Sequence, residues 1–289
     1  MCGRFTLTSP PEAVAQLFGY RDRPDFPPRY NIAPTQPVAT VRHEHGQRRF
    51  ALVRWGLIPG WVKDPASFTL LVNARAETAA EKPSFRAAMR HHRCLVPVDG
   101  FYEWLRTGGQ KQPFFIRPAG GGLMAVAGLW DTWSDPSGGE IDTGALLTVP
   151  ANRAMQAVHD RMPAILFEQD FDAWLDTGQV RAEEARRLLR PVADDYLEFI
   201  PVSSRVNSAS QDDPGLTERA AEAAPGADPE KNRSPVPPAE RRKAAVAAPV
   251  SLIFSRKIAA FFGVLYENVN AFALGRWMTK TEGAVCGPR

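Results

Sequence analysis

The amino-acid sequence predicts an α+β fold built on a β-rich, curved or barrel-like sheet with peripheral helices. Three observations lead there. Short apolar runs of β-type composition recur along the first two hundred residues, separated by Pro, Gly and Asp/Asn signals. Helical patterns are fewer and scattered between them, which argues against a regular strand-helix alternation. Hydrophobic residues make up 44% of the chain and charged residues 23%, so there is enough apolar material for one substantial core.

Taken in order, the first element is a helix over Pro11–Phe18, with Ser9 in position to cap it. Strands follow at Val38–Val41, Phe50–Val53 and Thr69–Val72, each a run of β-branched and large apolar residues. A second helix is expected over Ser84–His91. Strands then come at Cys94–Val98, Phe114–Ile116, Leu123–Gly128 and Gly144–Val149. Two short helices, Phe171–Leu175 and Ala182–Leu189, precede a last strand at Leu197–Pro201. Trp55 and Trp104 read as core residues, and Cys94, in an apolar strand, as a buried small hydrophobe.

Composition divides the chain into three. Residues 2–216 carry the fold. From Thr217 to Ala248 the chain is Ala, Pro, Glu, Lys and Arg with almost nothing to bury, so residues 217–248 read as a disordered linker. Residues 249–289 turn apolar and aromatic again. Spacings of three and four from Leu252 to Trp277 suit one amphipathic helix, whose docking partner is unknown, although a poorly ordered extension accounts for them equally well.

Charge and cysteine usage exclude several classes. A net charge of +3 does not by itself argue for a nucleic-acid partner. Cys2, Cys94 and Cys286 lie far apart with no zinc spacing, so neither a disulfide framework nor a metal or cofactor site is indicated, and a reducing cytoplasm fits. The segment Met1-Cys2-Gly3-Arg4-Phe5 lacks the apolar stretch of a signal peptide, and the run Ile258–Tyr266 is too short to span a bilayer.

Cys2 is the chemically distinctive residue. A small side chain after the initiator Met permits removal of Met1, leaving a free α-amine beside a thiol. With pKa values near ~8 and ~8.5, both are partly deprotonated near neutrality. Such an aminothiol traps aldehydes: the amine forms a Schiff base and the thiol closes a thiazolidine ring. It equally suits an N-terminal-nucleophile hydrolase, with the amine as base for the thiol. The plain alternative is a small residue at a frayed end.

Further segments accompany it: Gly3-Arg4-Phe5, Arg29-Tyr30-Asn31-Ile32-Ala33-Pro34, Trp55-Gly56-Leu57-Ile58-Pro59 with Trp61, and Asn73-Ala74-Arg75-Ala76-Glu77-Thr78. Then come Cys94-Leu95-Val96-Pro97, Gly100-Phe101-Tyr102-Glu103-Trp104, His159-Asp160-Arg161-Met162-Pro163 and Pro201-Val202-Ser203. In this order and spacing the chain resembles the SRAP family, the SOS-response-associated peptidase or abasic-site-processing proteins, over residues 2 to 216. The resemblance implies covalent capture of abasic sites in single-stranded DNA or at single/double-strand junctions, with AP-lyase activity and autocatalytic removal of Met1 as companions. It makes Cys2 the crosslinking residue, Asn73 the side chain that orients it, and Glu103 and His159 the proton-transfer pair. It makes Arg4, Arg75 and Arg161 phosphate contacts, and Trp61 the support of a displaced base. It also implies a monomer of the cytoplasm, associated with the nucleoid when on DNA.

Elementary chemistry agrees with these roles. Losing water from a carbinolamine needs an acid, which a desolvated carboxyl or a histidine supplies near neutral pH. Tyr102 and Trp104 flank Glu103 in sequence and would desolvate it. The competing accounts are an outward strand residue for Glu103 and a structural histidine for His159. Two other functions stay open at this level: a cysteine peptidase or amidohydrolase using Cys2, and a non-enzymatic single-strand-binding module.

Overall fold

The computed structural model describes residues 2–135 and 137–220. Of the linker expected over residues 217–248, residues 221–248 lie outside the described residues, as does the helix expected beyond it. In chain order the elements are β1 (Phe5–Leu7), α1 (Pro11–Phe18), β2 (Arg29–Ile32), β3 (Pro37–Glu44), β4 (Gln47–Trp55), β5 (Asn73–Arg75) and α2 (Arg86–His91). They continue with β6 (Arg93–Val98), β7 (Gly100–Thr107), β8 (Gln110–Pro118), β9 (Met124–Ser134), β10 (Glu140–Pro150), β11 (Arg161–Pro163) and β12 (Ile165–Leu166). Helices α3 (Phe171–Leu175) and α4 (Ala182–Arg186) and strand β13 (Leu197–Pro201) complete the set.

The strands form two sheets. One has five strands in the order β13-β8-β7-β1-β2. In the other, β10-β4-β3-β6-β9 closes on itself because β9 also pairs with β10, and β5, β11 and β12 attach to this ring. Closure removes the free edges that an open sheet would expose. The ring is antiparallel except at β10–β4, where Thr143 pairs with Arg54 and Gly144 with Trp55. Its interior is tightly filled: a Cβ added at Gly128 would lie 2.8 Å from the Cys94 Sγ, well inside van der Waals contact. One main core runs from Phe5 and Phe101 in the first sheet to Val41, Leu95, Leu129 and Leu147 in the second. Tyr102, Phe115, Val202, Val206 and Leu216 form a second, smaller core. No helix among the described residues is long and apolar enough to cross a membrane.

The β-rich, barrel-containing α+β architecture is the one expected, with departures in detail. No strand forms over Thr69–Val72; Leu71 makes one isolated bridge to Leu57, and the chain becomes a strand only at Asn73, where β10 offers parallel partners. Side-chain type suggested a strand four residues too early because ladder partners, not propensity, set its start. Ser9 does not cap α1; its hydroxyl donates to Asp99, and the helix begins with Pro10 as N-cap and Pro11 inside the first turn. Helix α2 begins at Arg86 rather than Ser84, and α4 ends at Arg186 rather than Leu189. Trp55 is buried as expected, whereas Trp104 is only half-buried. Order continues past Leu216: Arg219 bridges to Val202, and the Ala220 amide donates to the Pro201 carbonyl at 2.9 Å.

Candidate active site

Cys2 leads directly into β1, which lies between β7 and β2 in the five-stranded sheet. The residue is 2% exposed, and its Sγ lies 3.6 Å from the Arg4 carbonyl oxygen. Burial pushes the thiol pKa well above its ordinary value, and the negative Glu103 pushes it further. The positive chain terminus and the contact with the Arg4 carbonyl oppose that shift. Near neutral pH the thiol therefore stays protonated.

Two strands bring polar groups to Cys2. Asn73 opens β5, held beside β10 by the parallel pairs Asn73–Leu146 and Ala74–Leu147, and its Nδ2 donates to the Cys2 carbonyl at 2.9 Å. Its Oδ1 is buried without a hydrogen-bond partner among the described residues. Glu103 lies on β7. The pairing of Phe5 with Phe101, and the Tyr102 amide bond to the Arg4 carbonyl, carry the register on to place Glu103 opposite Gly3, beside Cys2. Glu103 is 4% exposed. Strand alternation turns it to the same side as Phe101 and the main core, away from Tyr102 and Trp104. The shielding comes from that interior and not, as its sequence neighbours suggested, from the two flanking aromatics.

His159 follows a short 3-10 turn (Met155–Ala157), and its amide donates to the Met155 carbonyl. Its Nδ1 accepts from the Arg161 amide at 3.0 Å and lies 2.8 Å from Asp160 Oδ1. One nitrogen cannot serve both. Either contact fixes the plane of the imidazole at the cleft. His159 and Glu103 line the same cleft, of about 740 Å³, together with Trp104, Arg106, Lys111 and Asn207. Glu103 thus belongs both to this cleft and to the electrostatic surroundings of the Cys2 thiol.

The four residues expected to contact DNA are placed differently from one another. Arg75 is exposed, and so is Trp61 at 59%, packed edge-on against Phe68. Arg4 is turned inward: Nη1 donates to Asn31 Oδ1 at 2.9 Å and to the Val206 carbonyl at 2.7 Å, and Nη2 reaches the Asn207 carbonyl at 3.2 Å. Arg161 is 9% exposed and grips both carboxylate oxygens of Glu77, the Thr148 carbonyl and the Thr148 hydroxyl. That hydrogen bonding holds the Glu77 carboxyl below the usual carboxylate range. In this conformation Arg4 and Arg161 act as internal ties, one holding the Val206–Asn207 turn and the other joining β11, β10 and the segment after β5. A phosphate contact is not the role these two arrangements display.

Sequence reasoning missed Arg106, Lys111, Asn207 and Glu77. Arg106 and Lys111 were not singled out because the hairpin that pairs them was not read as one. The Gly108-Gly109 dipeptide between two β-type runs was the available signal. Asn207 and Glu77 reach the site only through tertiary contacts, which leave no local pattern.

The sequence profile of the SOS response associated peptidase (SRAP) family matches residues 1–209. The abasic site processing protein YoqW of Bacillus subtilis is 38% identical over 222 residues, spanning 75% of this chain and 99% of its own. The abasic site processing protein HMCES of Xenopus tropicalis is 33% identical over 259 residues, spanning 74% of this chain and 77% of its own. A crystal structure of a Bacteroides thetaiotaomicron protein superposes with a TM-score of 0.69 at 26% identity, covering 76% of this chain and 100% of that one. The chain belongs to the SRAP family.

Proposed function

We propose that this protein processes abasic sites in single-stranded DNA by capturing the sugar aldehyde on Cys2 once Met1 has been removed. The observation that carries the reading is the convergence on Cys2: Asn73 holds its carbonyl, and the buried Glu103 acts on its thiol from the cleft that His159 shares. The relatives named abasic site processing proteins support the choice of substrate.

The buried thiol decides the order of events. A protonated thiol is a poor opening nucleophile, because the thiolate is the reactive form. The freed α-amine therefore attacks first, adding to the aldehyde carbon to give a carbinolamine. Glu103 or His159 protonates the hydroxyl, which leaves as water and yields the iminium. The Cys2 Sγ then adds to the iminium carbon, its proton passing to the Glu103 carboxylate, and the neutral thiazolidine closes. If a base removes the sugar C2′ proton before the ring closes, the 3′ phosphate leaves by β-elimination, which is the AP-lyase branch. A thiol-peptidase reading requires a thiolate, and the raised pKa of Cys2 weighs against it.

The test is incubation with single-stranded oligonucleotides, with and without an abasic site, followed by denaturing gels. The processed protein should give a stable adduct only with the abasic strand. Cys2→Ala should give none while still binding undamaged strand. Cys2→Ser and Cys2→Ala both keep the α-amine, so each should give an adduct only after borohydride reduction. Glu103→Gln should slow adduct formation ~10²-fold or more. A full-yield adduct with Cys2→Ala without reduction would overturn the proposal.

A further inference from the structure

We propose that the end of the β7–β8 hairpin is a phosphodiester-binding subsite, in which Arg106 and Lys111 clamp one stretch of backbone against the rim of the cleft. The inference deepens the reading above and rests on it for the identity of the strand in the cleft.

The hairpin closes through Gly108 and Gly109, at φ 58° and 83°. These left-handed values at both central positions make the two-residue turn that matches strand twist. Such a turn leaves no slack in the register: Thr107 faces Gln110, and Arg106 directly faces Lys111. Like charges held opposite one another across an antiparallel pair are destabilising. Neither cation has an ion-pair partner among the described residues. Both are exposed, and both line the cleft that contains Glu103 and His159. A phosphodiester between them would neutralise a repulsion that the fold otherwise leaves standing.

Trp104 supplies the second component. By alternation it shares a face with Arg106 and, across the ladder, with Pro113 and Lys111. It is half-buried at the cleft wall, and its Nε1 donates to Asn207 Oδ1 at 2.7 Å, which fixes the ring plane. Two cations beside an oriented indole are the parts of a platform for single-stranded nucleic acid: charge for the backbone, a flat face for a base. This site lies on the hairpin, separate in the chain from Arg75 and Trp61.

The experiment compares wild-type protein with the double variant Arg106→Gln, Lys111→Gln, measuring affinity for an undamaged single-stranded oligonucleotide and for a single/double-strand junction across a salt series. Two lost contacts on single strand lower the slope of log affinity against log salt by about 1.4, equivalent to about 25-fold weaker binding at ~0.1 M salt. A loss seen on both probes assigns the phosphodiester to the single strand, and a loss seen only on the junction assigns it to the flanking duplex. Thermal stability should be unchanged or slightly raised, since the repulsion goes with the charges. Unchanged affinity and slope on both probes would overturn the proposal. Adduct yield is scored separately with an abasic strand: an unreactive wild-type protein ends the aldehyde-capture reading, while the salt slopes still decide the subsite.

Discussion

Cys2 and Cys94 are both almost fully buried, at 2% and 1% exposure, and differ in what surrounds them. Cys94 packs inside the closed ring against Gly128, with Arg42 the one charge acting on it. Burial pushes its thiol from 9.0 up to about 12. Cys2 has the Glu103 carboxylate and the Asn73 amide beside it. The two thiols thus differ in their neighbours rather than in their exposure. Both raised thiols also make stability depend on pH. Below pH 9 the folded and unfolded chains both keep these protons, and neither thiol contributes a slope. Above it the unfolded chain loses them while the folded chain does not, so stability falls as pH rises toward the folded values. The loss is about 1.4 kcal/mol per pH unit for each thiol. Urea unfolding at pH 8 and pH 10 should show a drop that Cys94→Ala makes smaller by about 1.4 kcal/mol; identical drops in both proteins would contradict the burial argument.

At the level of elements, β10 organises the site. It pairs with β5, which carries Asn73, and with β11, which begins at Arg161, and the Arg161–Glu77 pair ties the segments that follow and precede them. Arg161→Ala should therefore act first on stability, lowering it by about 2 kcal/mol, below the range for a fully buried pair because Glu77 is half exposed. Arg75→Glu should leave the melting temperature alone and weaken binding to undamaged single strands, most strongly at low salt. If Arg161→Ala melted like wild type and lost DNA affinity instead, its guanidinium would be a phosphate contact after all. The difference shows what was legible in the sequence. Helices α1 and α3 and strand β13 are readable to the residue, because period and punctuation are local. The grouping of Cys2, Asn73, Glu103 and His159 as one candidate site came from family likeness, since the four span more than 150 positions of the chain. The inward turn of Arg4 and Arg161 was not legible, because an arginine reads the same whether it faces phosphate or a carbonyl. The hairpin pair was missed for the opposite reason: its signal was local, but Trp104 was assigned to the core.

For the whole molecule, the end of the folded unit lies slightly beyond the change in composition. Leu216 is fully buried, and Arg219 and Ala220 still pair with Val202 and Pro201. A chain ending at Ala220 should fold and react like the full-length protein. One ending at Leu216 should keep its activity but lose about 1–2 kcal/mol with those pairings. Loss of the adduct in the longer truncation would mean that residues 221–289 complete the site. The bond from Asn73 to Cys2 has a different kind of consequence. It falls on the carbonyl oxygen, an atom that belongs to the link between Cys2 and Gly3 and is the same whether or not a residue precedes Cys2. The latch between β5 and the start of β1 therefore cannot distinguish the precursor from the processed chain, and both can settle into one architecture. On the proposed function, folding and arming are then separate events: a chain carrying one extra residue at its start should be soundly built and give no stable adduct, and removing that residue should restore it without a change of fold.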